Sequence, residues 1–163
     1  MQEAILSIRD EVIIRPATEW DISSILPLLL EWTEESPFKS FGKSDNKRNP
    51  KAGVWVAEMI RYQLFMVAEY EEKVIGGISI REHTYPWDDQ TKVLCADFLM
   101  VLKDYRETGA GMKLIKALKD IADSAGLPAT LGMNMAVDIE KKNRLMRMNG
   151  FVLTGNNYLY GGQ

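Results

Sequence analysis

The sequence predicts an α/β fold in which one mixed sheet carries helices on both of its faces. Short apolar runs of strand length alternate with longer segments whose apolar residues recur at helical spacing. Residues 96–122 show this most clearly, because an apolar run, a polar turn, a glycine turn and an amphipathic helix follow one another there. Along the chain the segments give the order β-α-α-β-β-β-α-β-α-β-β, and such a mixture packs in layers around one sheet.

The first part of the chain predicts a strand and a helix. Residues 12–15 form a short apolar run, and Pro16 ends it. Thr18 and Asp21 have the spacing of a capping box, which starts a helix with apolar residues on one face. Because proline removes a helical hydrogen bond, Pro27 predicts a kink or an early break in that helix.

The middle and the end of the chain predict a hairpin, a central strand and two further helices. Gly126 ends the third helix, since glycine readily adopts the conformation that terminates helices. In chain order, the predicted segments are a loop over 36–53, a helix over 54–64, strands over 65–70 and 74–80, a loop over 81–89, the central strand over 92–102, a helix from Gly111 to Gly126, a strand over 129–136, a helix over 138–149 and closing strands over 151–154 and 158–160.

Length and composition exclude several classes of protein. We expect residues 1–163 to form a single domain, with residues 1–11 as an N-terminal extension. The net charge of −3 disfavours nucleic acid as a partner and favours a cationic substrate. One cysteine and one histidine argue against a disulfide and against the usual zinc clusters, so we expect no metal. No segment has the pattern of a secretion signal or a membrane span, so we expect a cytoplasmic protein without membrane contact.

The segment from Arg106 to Gly111 predicts a site for a phosphate group. The first N–H groups of a helix have no partner within it and carry partial positive charge. Glycines at 109 and 111 let a phosphate approach the backbone closely. The dinucleotide pattern fails because Leu114 stands at its third glycine, and the Walker A pattern fails because Pro37 stands at its first.

A third phosphate pattern, R/Q-x-x-G-x-G/A, matches residues 106–111, which read RETGAG. Together with the preceding strand and the Tyr105-Arg106 pair, it resembles the pyrophosphate loop of the GNAT superfamily, the acetyl-CoA-dependent N-acetyltransferases. The resemblance extends over residues 12–160 and includes the Gly150-Phe151 pair after the last helix. It implies a GNAT-like, mostly antiparallel sheet flanked by about four helices.

The resemblance implies a co-substrate and a reaction. Acetyl-CoA would donate its acetyl group to a primary amine, which attacks the thioester directly in a ternary complex. The central strand would hold the pantetheine arm, and the Val101 N–H would polarise the thioester carbonyl, a catalytic role. The residues implied in binding acetyl-CoA are Leu99, Met100, Val101, Arg106, Glu107, Thr108, Gly109, Ala110, Gly111 and Asn143.

Asp97 is an acid inside the apolar central strand. Burying a lone carboxylate is costly, so it needs a partner, a wet cavity or a raised pKa. Some polyamine-type members of the family have a carboxylate at this spacing. The resemblance therefore implies that Asp97 acts as a general base or holds the substrate ammonium. A salt-bridged or edge-facing aspartate is the structural alternative.

The resemblance also implies an acceptor pocket beside the end of the first helix. Glu31, Trp32 and Glu35 would give that pocket an acidic, aromatic rim suited to an amine cation. His83 is a further candidate for substrate binding because histidine titrates near neutrality. A solvated helix end and a packed loop histidine are the structural alternatives. The acceptor itself stays open among a polyamine, an amino-acid amine, an antibiotic and a protein or peptide N-terminus.

Two positions depart from the family's pattern. Met146 stands where the family often has a tyrosine as general acid, and Ile139 stands where it has an asparagine, with Asn143 one turn later on the same face. These departures keep a second hypothesis open, a CoA-binding or protein-interaction module with little turnover. The basic loop 39–51 keeps a nucleic-acid contact open, and the closing strands offer an edge for a possible homodimer.

Overall fold

The computed structural model describes residues 12–36, 50–132 and 138–154. The strands are β1 Ile13–Pro16, β2 Phe65–Tyr70, β3 Lys73–Tyr85, β4 Asp88–Val101 and β5 Ala129–Leu131. The helices are α1 Ile22–Glu34, α2 Pro50–Arg61, α3 Ala110–Ala125 and α4 Ile139–Met148. Two short 3₁₀ turns, Glu19–Asp21 and Lys103–Thr108, precede α1 and α3.

The strands form one sheet in the order β1-β2-β3-β4-β5. The first three pairings are antiparallel, and only β4 with β5 is parallel. The predicted mixed, mostly antiparallel sheet is confirmed, as is the predicted element order from β1 to α4. The prediction of a strand over 151–154 is wrong, because these residues belong to no strand and Val152 is 82% exposed. The predicted strand 158–160 lies outside the described residues, as does most of the basic loop.

Two hydrophobic cores lie on opposite faces of the sheet. On one face α1 and α2 pack Ile25 and Val56 against Phe65, all of them buried. On the other face α3 packs Leu114 and Leu118 against the sheet. Because both faces are covered by helices, the sheet is the rigid middle layer on which the loops at its ends are positioned.

The start of α1 is joined to β1 by a partly buried ion pair. The Asp21 carboxylate accepts the Thr18 N–H at 2.7 Å, as the capping spacing predicts. The same carboxylate accepts two bonds from Arg15, at 2.7 and 2.9 Å. Of the kink or early break predicted at Pro27, the early break is not found, because the helix runs on to Glu34 with Pro27 exposed on its outer side. Packing of the opposite, buried side against the sheet outweighs the one lost hydrogen bond.

The segment predicted as a loop over 81–89 is instead the end of a long β-ribbon. β3 continues to Tyr85 and β4 begins at Asp88, with His83 opposite Val93. Residues 81–86 are exposed along this ribbon. Because water covers the protruding strand, its residues show none of the apolar alternation by which a strand is recognised in a sequence.

Candidate functional site

The strand β4 has one edge paired throughout and one edge paired only in part. Its parallel pairing with β5 covers Leu94 to Ala96, and the Gly132 N–H donates to the Ala96 carbonyl at 3.1 Å. Beyond Ala96, no strand of the described residues pairs with this second edge. We call residues 97–101 of β4, with this free second edge among the described residues, the unpaired edge.

A β-bulge lies where the parallel pairing ends. Ser79 is opposite Phe98 and Arg81 is opposite Cys95, so β4 carries one extra residue between these two pairs. Asp97 lies in this bulge. The bulge interrupts the alternation of buried and exposed side chains along β4, and the Asp97 side chain is 51% exposed at the surface. Its carboxylate accepts a bond from Arg81 Nε at 2.5 Å. The acid inside the apolar strand therefore has a partner and is not buried.

Two residues of the unpaired edge turn their backbone polar groups away from β3. The Leu102 N–H donates to the Ile75 carbonyl at 2.8 Å, and hydrogen-bonded pairs alternate along an antiparallel ladder. The N–H and carbonyl groups of Leu99 and Val101 therefore point to the unpaired edge. Met100 points its backbone groups toward β3 and its buried side chain into the core under α1 and α2.

The turn before α3 adopts the conformation that glycine favours. Gly109 has a φ of 84°, in the left-handed region, and the helix begins at the next residue. The Ala110 N–H donates to the Thr108 hydroxyl at 3.3 Å. A Cβ at Gly111 would lie 3.8 Å from the Val101 side chain, so the first turn of α3 lies against the end of the unpaired edge.

Arg106 joins this glycine turn to the unpaired edge and to the end of α1. Its Nε donates to the Val101 carbonyl oxygen at 3.2 Å. Its terminal nitrogen contacts the Glu35 carboxylate and lies 3.6 Å from Glu31, which also accepts the Lys103 N–H at 2.7 Å. Two residues predicted to bind the acceptor thus hold a residue predicted to bind acetyl-CoA. Glu107, the next residue of the turn, is exposed.

The other two residues predicted to bind the acceptor lie apart from each other. The Trp32 ring is 6.0 Å from that of Phe98 and packs against the core under α1 and α2. His83 is exposed on the ribbon, with its ring 5.6 Å from that of Tyr85. Alternate residues of a strand share a face, so His83 lies on the same face of β3 as Arg81, which contacts Asp97.

The helix α4 brings a further polar group to the site. Asn143 and Met146 line a cleft that also contains Asp97, and Lys142 lines it too. Lys142 lies one turn before Met146, on the same side of α4. Its Nζ is the only buried side-chain nitrogen or oxygen in the described residues without a hydrogen-bond partner.

Charged groups on the other side of the site affect the pKa of Lys142. Burial is the main cause that lowers the pKa of its ammonium below the ordinary 10.5. Glu35 opposes this effect, Arg106 adds to it and Asp138 opposes it. Lys142 therefore lies within electrostatic reach of the same Arg106–Glu35 pair that contacts Val101.

Sequence reasoning missed two residues of this site. For Lys142 a signal was present, because its spacing from Met146 is that of neighbours on one helix face. For Arg81 the sequence held no signal, because its contact with Asp97 depends on a bulge between two strands.

Two kinds of site are not found in the parts of the chain that the structure describes. Within residues 12–36, 50–132 and 138–154, no group of three or more His, Cys, Asp or Glu side chains could hold a metal ion. The helices described there are too short or too polar to cross a membrane.

The chain belongs to the acetyltransferase (GNAT) family, whose sequence model matches residues 26–151. Its fold is similar to that of an acetyltransferase from Trypanosoma brucei, at 22% identity and a TM-score of 0.68 over 92% of this chain and 99% of that one. It is also similar to ribosomal-protein-alanine N-acetyltransferase from Brucella melitensis biovar Abortus 2308, at 16% identity and a TM-score of 0.65 over 92% and 98% of the two chains.

A third similar structure contains a CoA derivative. It is that of AAC(6')-Iy in complex with the bisubstrate analogue CoA-S-monomethyl-acetylneamine, at 18% identity and a TM-score of 0.64 over 92% of this chain and 97% of that one. At these identities the likeness concerns the fold. With the family match, it supports an acetyltransferase.

Proposed function

We propose that this protein transfers the acetyl group of acetyl-CoA to a primary amine, which attacks the thioester directly in a ternary complex. Family membership supports the chemistry. The observation that carries the proposal for this chain is that the unpaired edge of β4 lies against the first turn of α3. Backbone groups that suit an extended arm are therefore adjacent to N–H groups that suit a phosphate.

In this proposal the backbone holds acetyl-CoA, whose thioester supplies an activated acetyl group. The N–H groups from Glu107 to Gly111 bind the pyrophosphate, which replaces the Thr108 hydroxyl as the acceptor of the Ala110 N–H. The exposed Glu107 side chain points away from it. Leu99 and Val101 bind the pantetheine arm through the backbone groups that face the unpaired edge. Met100 contributes only packing beneath the arm, and Asn143 is a further donor from α4.

The Val101 N–H is proposed to donate to the carbonyl oxygen of the acetyl group. A fixed backbone donor aimed at a developing oxyanion contributes roughly 3–4 kcal/mol of transition-state stabilisation. The neighbouring Val101 carbonyl is held by Arg106 at 3.2 Å, and Glu35 holds Arg106 in turn. These contacts keep the end of the unpaired edge in place while the acceptor enters and leaves.

Asp97 is proposed to take a proton from the attacking amine, directly or through water. The bulge exposes its carboxylate to solvent, so a proton collected there can leave. Arg81 and His83 lie on the ribbon face beside it and form the wall that an acceptor meets first. Because Arg81 already pairs with Asp97, an ammonium acceptor competes with that guanidinium for the carboxylate.

A second candidate function is a CoA-binding module with little turnover. It is favoured by Met146, which lines the cleft without the hydroxyl that a tyrosine would supply there as general acid. The two functions share acetyl-CoA binding and differ in whether CoA is released when an amine is present.

The proposal is tested first by calorimetric titration of the wild-type protein with acetyl-CoA. Two variants of one residue, Gly111→Ala and Gly111→Glu, provide the comparison. The alanine Cβ would lie at an ordinary contact distance of 3.8 Å from Val101, so Gly111→Ala should bind as the wild type does. Gly111→Glu adds a carboxylate to the anion site and should abolish binding. Equal binding by both variants would contradict the proposed location of the phosphates.

Turnover is tested separately, by measuring CoA release with a panel of amines. A polyamine, an aminoglycoside and a peptide with an N-terminal alanine represent three acceptor classes. Release above the hydrolysis rate with any of them supports the acetyltransferase. Binding of acetyl-CoA without release with amines of all three classes would favour the binding module.

A further inference from the structure

The side-chain nitrogen of Lys142 has no hydrogen-bond partner among the residues that the structure describes. This nitrogen is buried, and no oxygen, nitrogen or sulfur within residues 12–36, 50–132 and 138–154 accepts a bond from it. A buried donor left without an acceptor loses its bonds to water without replacing them, and the cost is larger when the donor is charged. Such a group is stabilised when a ligand supplies the acceptor, so Lys142 marks the position where an electron-rich ligand atom is expected.

The position of Lys142 indicates which atom of the ligand would accept a hydrogen bond from its Nζ. It lies on α4 one turn before Met146, and both line the cleft that contains Asp97. It is electrostatically coupled to Arg106, whose Nε bonds to Val101 at the end of the unpaired edge. In the proposed function, the Val101 N–H serves the carbonyl oxygen of the thioester. The leaving sulfur is then the reacting atom to which no acid has been assigned among the described residues.

We propose that Lys142 is a catalytic residue that donates a proton to the sulfur of CoA as the thioester breaks. The inference rests on the proposed function, because it assumes that acetyl-CoA lies along the unpaired edge. Lys142 would thus act as the general acid, a role that Met146 cannot fill because its side chain has no proton to donate.

The proton transfers balance in four moves. The acceptor nitrogen forms a bond to the carbonyl carbon, and the C–S bond breaks with its electron pair on sulfur. The nitrogen gives up its excess proton toward Asp97 and water. Lys142 gives one proton to the sulfur, which leaves as the thiol. Lys142 then takes one proton back from solvent.

The charged groups around Lys142 act on its pKa in both directions. Burial is the main cause that lowers the pKa and Arg106 adds to it, whereas Glu35 and Asp138 oppose the lowering. Glu31 lies 3.6 Å from Arg106 and offsets part of the charge of that guanidinium.

The test compares the affinity of the protein for CoA and for desulfo-CoA, which lacks the thiol, from pH 6.5 to 8.5. If Lys142 faces the sulfur, its charge favours the bound thiolate. The ratio of CoA affinity to desulfo-CoA affinity should then rise with pH in the wild type, by about tenfold for each unit by which the pKa of the bound thiol is lowered. The ratio should stay constant in Lys142→Met.

Controls separate a chemical from a structural role. Methionine matches the lysine stem without its charge, so Lys142→Met should unfold at the same denaturant concentration as the wild type or at a higher one. Lys141→Met removes the neighbouring, exposed charge and should keep the wild-type pH dependence. With an acceptor amine, Lys142→Met should lower kcat more than it changes KM for acetyl-CoA, and Lys142→Arg should restore part of the pH dependence of binding.

The outcomes distinguish this inference from the proposed function. Failure of the wild type to bind either ligand would overturn the proposed function, and this inference with it. Binding of both ligands with the same pH dependence in Lys142→Met as in the wild type would overturn only the inference. A stable acetyl group on Lys142, detected by mass spectrometry after incubation with acetyl-CoA, would also overturn it, because the side chain would then be an acceptor.

Discussion

Arg106 Nε donates to the backbone carbonyl of Val101 at 3.2 Å, which bonds the first residue of the glycine-turn motif to the last residue of the central strand. The other end of the guanidinium contacts Glu35. The contact keeps the turn and the unpaired edge together, and it leaves the guanidinium occupied by acceptors from the protein. In the proposed function, the phosphates are therefore bound by the backbone N–H groups of the turn.

Replacing Arg106 by glutamine should therefore have a small effect on acetyl-CoA affinity. Glutamine also fits the R/Q-x-x-G-x-G/A pattern, and the N–H groups of the turn remain. We expect the Kd for acetyl-CoA, measured by calorimetry, to change by less than about threefold, which is well under 1 kcal/mol. A loss of two orders of magnitude would show instead that Arg106 leaves Glu35 and binds the phosphates directly.

Asp97→Asn should separate catalysis from stability. Its pair with Arg81 is half exposed, so the variant should lose less than about 1 kcal/mol of unfolding free energy. Removal of a general base should lower kcat/KM by about 10²- to 10⁴-fold. The measurements are denaturant unfolding and CoA release across pH.

The matched control for Asp97→Asn is Glu82→Gln. Glu82 pairs with Lys92 at 2.8 Å on the same ribbon and is also about half exposed. We expect this variant to keep both its stability and its activity. An unchanged kcat/KM in Asp97→Asn at every pH would remove Asp97 from the mechanism.

The Arg15–Asp21 pair should contribute stability that depends on pH. The hydrogen bonds from Arg15 are the main cause that lowers the pKa of Asp21 from 3.8 to about 2 in the folded protein. Because the folded value is the lower one, the stabilisation is fully present above pH 3.8 and is lost as the pH falls through about 2. At neutral pH, Asp21→Asn should lower the free energy of unfolding by about 2 kcal/mol.

The measurement is urea unfolding of the wild type and Asp21→Asn between pH 7 and pH 2. The difference between the two proteins should shrink toward the acid end. Asp120→Asn, which breaks an exposed pair with Lys116, should cost under about 0.5 kcal/mol at any pH. A constant difference for Asp21→Asn across pH would mean that its effect comes from packing instead of charge.

Two glycine-to-alanine changes should act in opposite directions. A Cβ at Gly77 would lie 2.5 Å from the ring of Phe65, which is 1% exposed and cannot move away, so Gly77→Ala should destabilise the protein by roughly 1–3 kcal/mol. Gly53, in α2, has no atom within 4 Å of its added Cβ, so Gly53→Ala should stabilise by roughly 0.5–1 kcal/mol. Thermal unfolding measures both, and a stabilised Gly77→Ala would contradict the close approach of Phe65.

The sequence predicted the elements whose signals lie within one segment. The helix α3 was predicted from apolar residues at helical spacing and from Gly126, which caps it in the left-handed conformation. The start of α1 was predicted from the capping spacing of Thr18 and Asp21, which is also a signal within one segment. The ribbon over residues 81–89 was missed, because a two-stranded segment exposed to water has no apolar alternation to reveal it.

What the sequence by itself determined is the layered α/β fold and the place of the glycine turn, because helix periodicity, caps and left-handed glycines are properties of short segments. Only the tertiary structure decided which side chains meet. Asp97 meets Arg81 because a bulge shifts the register of two strands, and Arg106 meets Glu35 across a long stretch of chain. The spacing of Lys142 from Met146 places both on one face of α4, but the burial of its Nζ also depends on tertiary packing. Such contacts depend on how distant segments pack, and no pattern within either segment encodes them.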